Sequence, residues 1–366
     1  MIHFAHMKAP LKGVVLSGGK GSRLRPFTYT GAKQLVPIAN KPILFYAIEE
    51  LVAAGIRDIT IIVSVETGDQ VERETGDGSR FGAKISYVRQ LEPGGIAQAI
   101  GLAREAVGDA PFVTFLGDNF VTKGIVAHVR AFTESDDDAA ILLKHVPDAR
   151  QFGVAKFQGE RLVRVVEKPQ EPPSDLAVIG IYMFTSRVFE AIAGIKPSAR
   201  GELEITDTIQ WLLDHGHGVR ADVVEGDWID TGRHDDLLVA NRLVLETLTG
   251  DLTGGSIDAA SRVAGQVVLQ AGAEVINSTI TGPAIIGERT RIEGATIGPY
   301  TSIDRDCYVH GCEISGSVVL ESSRIEGRGY RIEGSLIGRN VELHGGDREP
   351  RGYQFVLGDF SKMRVP

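Results

Sequence analysis

From Ile257 onward, apolar residues stand six apart: at Ile257, Val263, Leu269 and Val275, again at Ile280, Ile286 and Ile292, and again at Ile297, Ile303 and Val309, with a five-residue step joining each set to the next. Neither the 3.6-residue period of a helix nor the two-residue period of a simple sheet accounts for this spacing. A repeat of six headed by β-branched residues fits a left-handed parallel β-helix, in which three units make one triangular coil and the repeated side chain points inward. Past Val309 the register loosens, to Val319, Ile325, Ile332 and Ile337. The solenoid is expected over residues 251–345, with an irregular tail over 346–366.

The first two-thirds of the 366-residue chain reads differently. Short apolar runs alternate with amphipathic helical patterns, the signature of a mostly parallel, Rossmann-like sheet covered by helices. Strands are expected at Lys12–Ser17, Ile59–Ser64, Lys84–Arg89, Phe112–Leu116 and Ala139–Val146. Helices are expected at Pro42–Gly55, Ile96–Val107, Ile125–Phe132 and Arg233–Leu248. Paired strands at Val154–Phe157 and Leu162–Val166 suggest a β-rich insertion in this sheet. The expected organisation is an α/β catalytic domain over residues 7–250, followed by the β-helix.

With 24% charged and 43% hydrophobic residues and a formal charge of −9, the chain has an ordinary globular composition, which excludes global disorder and a nucleic-acid-coating surface. No apolar run reaches the roughly 18 residues of a bilayer span. The opening MIHFAH lacks the parts of an export signal. The two cysteines, Cys307 and Cys312, point to a reducing compartment. A cytoplasmic protein is expected. The cysteines read as packed residues, because two ligands fall short of a zinc site.

Chemistry-bearing residues gather where strands end. After the first strand comes LSGGKGSRLRP, Leu16 to Pro26, with Gly18, Gly19 and Gly21 followed by Arg23 and Arg25. Glycines let successive N–H groups approach phosphate oxygens, and a guanidinium adds bidentate contacts. The segment matches neither a dinucleotide fingerprint nor a P-loop, and a purely structural strand-to-helix turn is the alternative. Lys33 and Gln34 follow; a lysine here neutralises charge on a pyrophosphate or is merely solvated. Gly117-Asp118-Asn119 closes the Phe112–Leu116 strand, where ligands collect in open α/β sheets. Trp228-Ile229-Asp230 again ends an apolar run in Asp. Two carboxylates suit Mg²⁺, which takes oxygen ligands and shares the rest with phosphate and water; helix capping is the other role open to Asp118. Glu167-Lys168-Pro169 is either a surface ion pair of little value or a lysine held for a sugar phosphate. Glu134–Asp138 and Pro169–Ser174 read as solvated loops.

Taken together, LSGGKGSRLRP, AKQLVPIANKP, LGDN, FGVA, EKP and WIDTG resemble the sugar nucleotidyltransferase family, and within it the long-type glucose-1-phosphate thymidylyltransferases that carry a β-helical extension. The resemblance implies Mg²⁺-dependent transfer of a nucleotidyl group from dTTP to glucose 1-phosphate, releasing pyrophosphate. It implies that Leu16, Gly18, Gly19, Gly21, Ser22, Arg23, Gln34, Gln90, Pro93, Gly95 and Asp118 line the nucleotide. On the sugar-phosphate side it implies Asn119, Gly153, Glu167, Lys168, Val178 and Trp228. Arg23, Lys33 and Lys168 are implied to stabilise charge, and Asp118 and Asp230 to hold the metal. The base-binding stretch Gln90-Leu91-Glu92-Pro93-Gly94-Gly95-Ile96-Ala97-Gln98-Ala99 departs from short-type relatives, which more often have an aspartate ahead of the glycine. Thymine differs from uracil by one methyl, about 0.8 kcal/mol of burial, so UTP stays open as an alternative substrate.

Left-handed β-helices also occur in acyltransferases, which use a histidine base. The solenoid offers His310 and His344, both read as surface residues. A non-catalytic sensor or scaffold is a further alternative. Small-molecule substrates, with neither nucleic acid nor membrane, are the expected partners, and the solenoid is expected to make a homo-oligomer.

Overall fold

The computed structural model describes residues 10–19, 21–327, 329, 331–345 and 360–363. Most of the expected tail, residues 346–359 and 364–366, lies outside them. The chain forms two compact units. The first takes in the opening strand with its following glycines, Gly31–Leu35 and Leu44–Trp228; the second takes in Gly21–Thr30, Val36–Ile43 and the described residues from Ile229 onward.

The first unit is built on a nine-stranded sheet. In one half of it, Phe112–Leu116, Lys12–Ser17, Asp58–Ser64 and, at the edge, Lys84–Gln90 lie side by side and parallel. Ile59, Ile61 and Val63 face one apolar layer and Ile62 the other, which is why that strand is apolar on both faces. The helix Ile43–Ala53 buries Leu44, Ala47, Ile48 and Leu51 against the first layer. The Ile96–Val107 helix breaks into Ile96–Leu102 and Arg104–Val107. At the break Ala103 N donates to Ile100 O, the tightened i→i+3 bond of a helix end.

The paired strands Gly153–Gln158 and Arg161–Glu167 do not form a separate insertion. They extend the same sheet beyond Leu176–Phe184, which runs antiparallel to Phe112–Leu116 and carries the crossover from the parallel half to an antiparallel wing. Two helices, Val188–Gly194 and Ile205–Asp214, cover this wing. Asp138 is not simply part of a solvated loop: its carboxylate accepts from Thr185 Oγ1 at 3.0 Å and pairs with His217 Nδ1 at 2.9 Å.

In the second unit the repeats fold into a parallel β-helix with three sheets of six, five and five strands. One inward column runs Val275, Ile292, Val309, Ile325; the next Ile280, Ile297, Ile314, Ile332; the third Leu269, Ile286, Ile303, Val319, Ile337. Nearly all are sealed from solvent. Ile257 is 37% exposed, because its strand ends its sheet and pairs with Val275 alone. The loosened spacing past Val309 is absorbed at the corners: Val309 pairs with Ile325, Ile314 with Ile332, and Val319 with Ile337. Cys307 and Cys312 pack in this core, and burial pushes their thiols up to about 12 and about 11. At one corner Gly272, Arg289, Asp306, Ser322 and Asn340 recur coil by coil with positive φ.

The same unit contains a hairpin, Pro37–Ile38 with Lys41–Pro42, turned by Ala39 and Asn40 at φ of 46° and 60°. Two left-handed residues make this a type I′ turn, which ordinarily favours Asn-Gly. An alanine there costs about 1–2 kcal/mol. The helix His234–Thr247 meets this hairpin through Asn241, which is 1% exposed and accepts from Ala39 N at 2.8 Å.

The fully buried Ile297 sits between Ile280 and Ile314 in its column. Ile297→Ala should therefore destabilise the solenoid by about 2–5 kcal/mol. Denaturant unfolding followed by circular dichroism is the check, with a lowered midpoint at unchanged slope as the expected result.

Candidate active site

In the first unit the glycines after the opening strand lie against functional side chains. Gly18 leaves no room for a Cβ beside Gln90 Oε1, and a Cβ at Gly19 would stand 3.0 Å from Lys33 Cε and 3.2 Å from its Nζ. Gly19 and the Lys33 side chain therefore lie close together, and a side chain at 19 would push the lysine aside. Leu16 turns its side chain into the apolar layer shared with Val178, and its carbonyl accepts from Gly117 N.

Lys33 Nζ is ion-paired and hydrogen-bonded to Asp118 Oδ2. Asp118 is buried, and burial alone would raise its carboxyl; the adjacent Lys33 ammonium, with a hydrogen bond from Asn119, holds it below the usual carboxylate range. It is therefore ionised at neutral pH. Asn119, 2% exposed, accepts from Trp228 Nε1 at 2.6 Å, and the indole meets Phe152 edge-on with ring centres 5.3 Å apart. Gln34 is 1% exposed, and its Oε1 has no hydrogen-bond partner among the described residues.

Gln90 donates to Gln98 Oε1 at 2.7 Å. Gly94 O accepts from Leu203 N, and Gly95, at φ 101°, packs directly on the Leu203 backbone, so these glycines bring the stretch after Gln90 against the segment before Ile205. Pro93 is exposed.

At the antiparallel wing, Gly153 pairs in register with Glu167, and a Cβ on Gly153 would meet Thr206, Glu167 and Val178. Glu167 is held from three sides: Thr206 Oγ1 donates to Oε2 at 3.1 Å, Arg200 Nη2 donates to Oε1 at 3.1 Å, and Lys168 Nζ lies 3.4 Å from Oε1. Arg200 also binds Glu204, which is 5% exposed. Lys168 has φ 40°, and its N–H is tied to Phe152 O at 3.0 Å. Arg200, Thr206 and Gln98 were not reached from the sequence. Glu204-Ile205-Thr206 opens a helix right after an irregular stretch, but nothing local points to partners that lie far along the chain.

In the second unit Gly21, at φ 61°, starts the short turn Ser22–Leu24. The exposed Arg23 reaches Gly232: a Cβ there would stand 2.8 Å from Arg23 Nη2 and 3.2 Å from Asp230 Oδ1. Arg23 and Asp230 thus share one small glycine floor. Burial raises the Asp236 carboxyl, with Arg233 and Arg23 opposing.

Asp118, in the first unit, and Asp230, in the second, each carry hard oxygen donors of the kind Mg²⁺ takes, and Asp118 is kept charged. No cluster of three or more His, Cys, Asp or Glu side chains suited to a metal occurs among the described residues.

The chain matches the nucleotidyl transferase family over residues 12–247. It belongs to that family. A glucose-1-phosphate thymidylyltransferase of Streptomyces griseus is 46% identical over 97% of this chain and 99% of its own length. One from Streptomyces antibioticus is 48% identical over 97% and 99%. A low-salt glycan biosynthesis nucleotidyltransferase of Haloferax volcanii is 43% identical over 97% of this chain and 100% of its own. Among solved structures, one described as a putative glucose-1-phosphate thymidylyltransferase from Bacillus anthracis in complex with a sucrose has 41% identity and a TM-score of 0.62, covering 66% of this chain and 98% of that one. The two Streptomyces relatives therefore span the nucleotidyltransferase region and the solenoid together. Among the described residues no helix is long and apolar enough to cross a membrane.

The buried ion pair carries a stability consequence with a definite sign. Asp118 has a depressed carboxyl, so its contribution is fully present above the ordinary carboxylate range and is lost as pH falls through the depressed value. Lys33→Met should cost about 3 kcal/mol at neutral pH by taking the ammonium away from a buried carboxylate. Thermal melts of both proteins from pH 7 downward should show the gap narrowing as pH falls, because without Lys33 burial raises the Asp118 carboxyl and the variant takes up its proton first.

Proposed function

We propose that the protein transfers a thymidylyl group from dTTP to glucose 1-phosphate, giving dTDP-glucose and pyrophosphate. The observation that carries this reading is the Lys33 ammonium set against Gly19 and paired with the ionised Asp118 at the end of a central parallel strand. That is a place for a triphosphate, where backbone N–H groups and fixed positive charge meet. The names of the full-length Streptomyces relatives support the choice of substrates.

The reaction needs no proton carrier. A phosphate oxygen of glucose 1-phosphate, already anionic, forms a bond to the α-phosphorus as the bond from that phosphorus to the pyrophosphate oxygen breaks. The electron pair leaves with pyrophosphate. Positioning and charge neutralisation are then the work of the protein. Arg23 and Lys33 stabilise the charge that grows on the departing pyrophosphate. Gly18, Gly21 and Ser22 bring backbone N–H groups to the phosphates, and Gln90 offers its amide to the base, which it can both donate to and accept from. Glu167, fixed by Thr206 and Arg200, accepts from sugar hydroxyls, while Lys168 binds the sugar phosphate and Trp228 flanks the sugar. Asp118 and Asp230 hold Mg²⁺, which supplies positive charge to the phosphate oxygens when bound.

In this reading the protein works in the cytoplasm, consistent with two buried, unpaired thiols, and the solenoid assembles copies into a homo-oligomer. UTP is the competing nucleotide. A matrix of dTTP and UTP against several hexose 1-phosphates, read by pyrophosphate release, tests the substrate choice; faster turnover of UTP would replace it.

Two expected outcomes follow from the roles. Asp118→Asn and Asp230→Asn should each lower Mg²⁺-dependent turnover at least about a hundredfold, the scale of losing one transition-state charge contact; a wild-type rate removes that residue from the metal site. Lys168→Ala should raise KM for glucose 1-phosphate about tenfold while leaving KM for dTTP in place, and parallel losses for both substrates contradict its role.

A further inference from the structure

We infer that Asn241 is a positioning residue of the nucleotidyl transfer, holding the left-handed Ala39 turn against the solenoid and thereby fixing the chain that carries Lys33 and Gln34. The inference rests on the function proposed above for what those two residues do.

Asn241 lies in the helix His234–Thr247 among the buried side chains Leu237, Ala240, Val244 and Leu245. An apolar residue would serve packing on that face as well or better, since a buried amide is costly unless its polar atoms are matched. Both ends of this amide are matched, and by two different segments. Its Oδ1 accepts from Ala39 N at 2.8 Å and from Ser302 Oγ; its Nδ2 donates to Tyr300 O at 3.3 Å. The Ala39 N–H requires an acceptor, which orients the amide and leaves its donor for the solenoid. The side chain thus joins the hairpin to the coil at Tyr300–Ser302.

A second tie lies one residue further on, where Asn40 Nδ2 donates to Ile303 O at 2.8 Å. Strained backbone persists only where its surroundings over-determine it, and Ala39 at φ 46° meets that condition through these bonds. The hairpin begins at Pro37, and only Leu35 and Val36 separate it from Gln34. Within the second unit the stretch after Gly21 faces the same solenoid, where Phe27 lines one small cavity with Val318, Leu320 and Leu336. The segment that carries Arg23 and the one that follows Lys33-Gln34 therefore both belong to the unit that contains the solenoid. A displacement of about 1 Å in such a segment can cost a hundredfold in rate.

The test compares the full-length wild type with Asn241→Asp, Asn241→Leu, and Asn241→Leu combined with Ala39→Gly. Asp keeps the acceptor, Leu keeps the volume but removes the acceptor, and Gly removes the need to hold an alanine in the left-handed region. Expected is a fall in kcat per folded molecule of about tenfold or more for Asn241→Leu, with KM for glucose 1-phosphate unchanged. Asn241→Asp should stay within about threefold of wild type, and Ala39→Gly should restore part of the Leu loss. An unchanged kcat in Asn241→Leu, or no recovery on adding Ala39→Gly, overturns the inference.

Hydrogen exchange on the same proteins gives a readout independent of substrate. Asn241→Leu should speed exchange at Leu35 and Ala39 while leaving the strand Asp58–Ser64 protected; uniform acceleration, or none, overturns it. If Asn241→Leu does not fold, Asn40→Gly cuts the Ile303 tie without strain, and must speed the same amides for the inference to stand. A wild type that turns over neither dTTP nor UTP refutes the proposed function, and the exchange data still decide the positioning role.

Discussion

An ammonium and a carboxylate withdrawn from water at the end of a parallel strand are each costly alone, and Lys33 and Asp118 stabilise one another there. Their pairing sets several other features. It lies directly against Gly19, where a Cβ would crowd the Lys33 ammonium. It keeps Asp118 charged despite burial. It orders Asn119, which in turn fixes the Trp228 indole. Positive charge poised at a strand end, with nothing flexible holding it, is what a transfer between two anions demands.

The antiparallel wing works by similar means. Glu167 is a carboxylate whose direction is decided by its neighbours: a hydroxyl, a guanidinium and an ammonium converge on it. Gly153 clears the space in front of it, since a Cβ there would collide with Thr206. The wing also places Val178 beside this group through the strand Leu176–Phe184. Preorganisation of this kind spends little free energy at the moment of reaction, because the side chains are already constrained before a ligand arrives.

What could be read beforehand followed from periodicity and strand-end chemistry. The six-residue repeat located the solenoid, because each inward β-branched residue stacks on its neighbour in the next coil. Where corners lengthen or shorten, as past Val309, spacing in the chain ceases to report spacing in the structure, and Ile314 escaped notice although it lies fully buried in its column. Strand ends such as Gly117-Asp118-Asn119 stood out because a polar triplet after a buried run has few structural uses. Arg200, Thr206 and Gln98 were invisible for a different reason: each acts by reaching a partner distant in the chain, and no local pattern announces that. The antiparallel wing looked like an insertion because its strands are half-exposed and alternate, whereas hydrogen bonding joins them to the central sheet. The strain at Ala39 was likewise hidden, since alanine gives no sign of left-handed backbone.

The β-helix contacts itself only coil to coil, so its length is a free variable in a way the sheet's width is not. Through Asn241 and Asn40 the hairpin is tied to the coil at Tyr300–Ile303, and Phe27 faces those at Val318–Leu320 and Leu336. Whole turns added after Leu343 would leave those supports untouched. That end is thus free to grow to suit new neighbours, while the part of the spiral that braces the hairpin, and the first coils that join it to the helix bearing Asn241, are held to a single form.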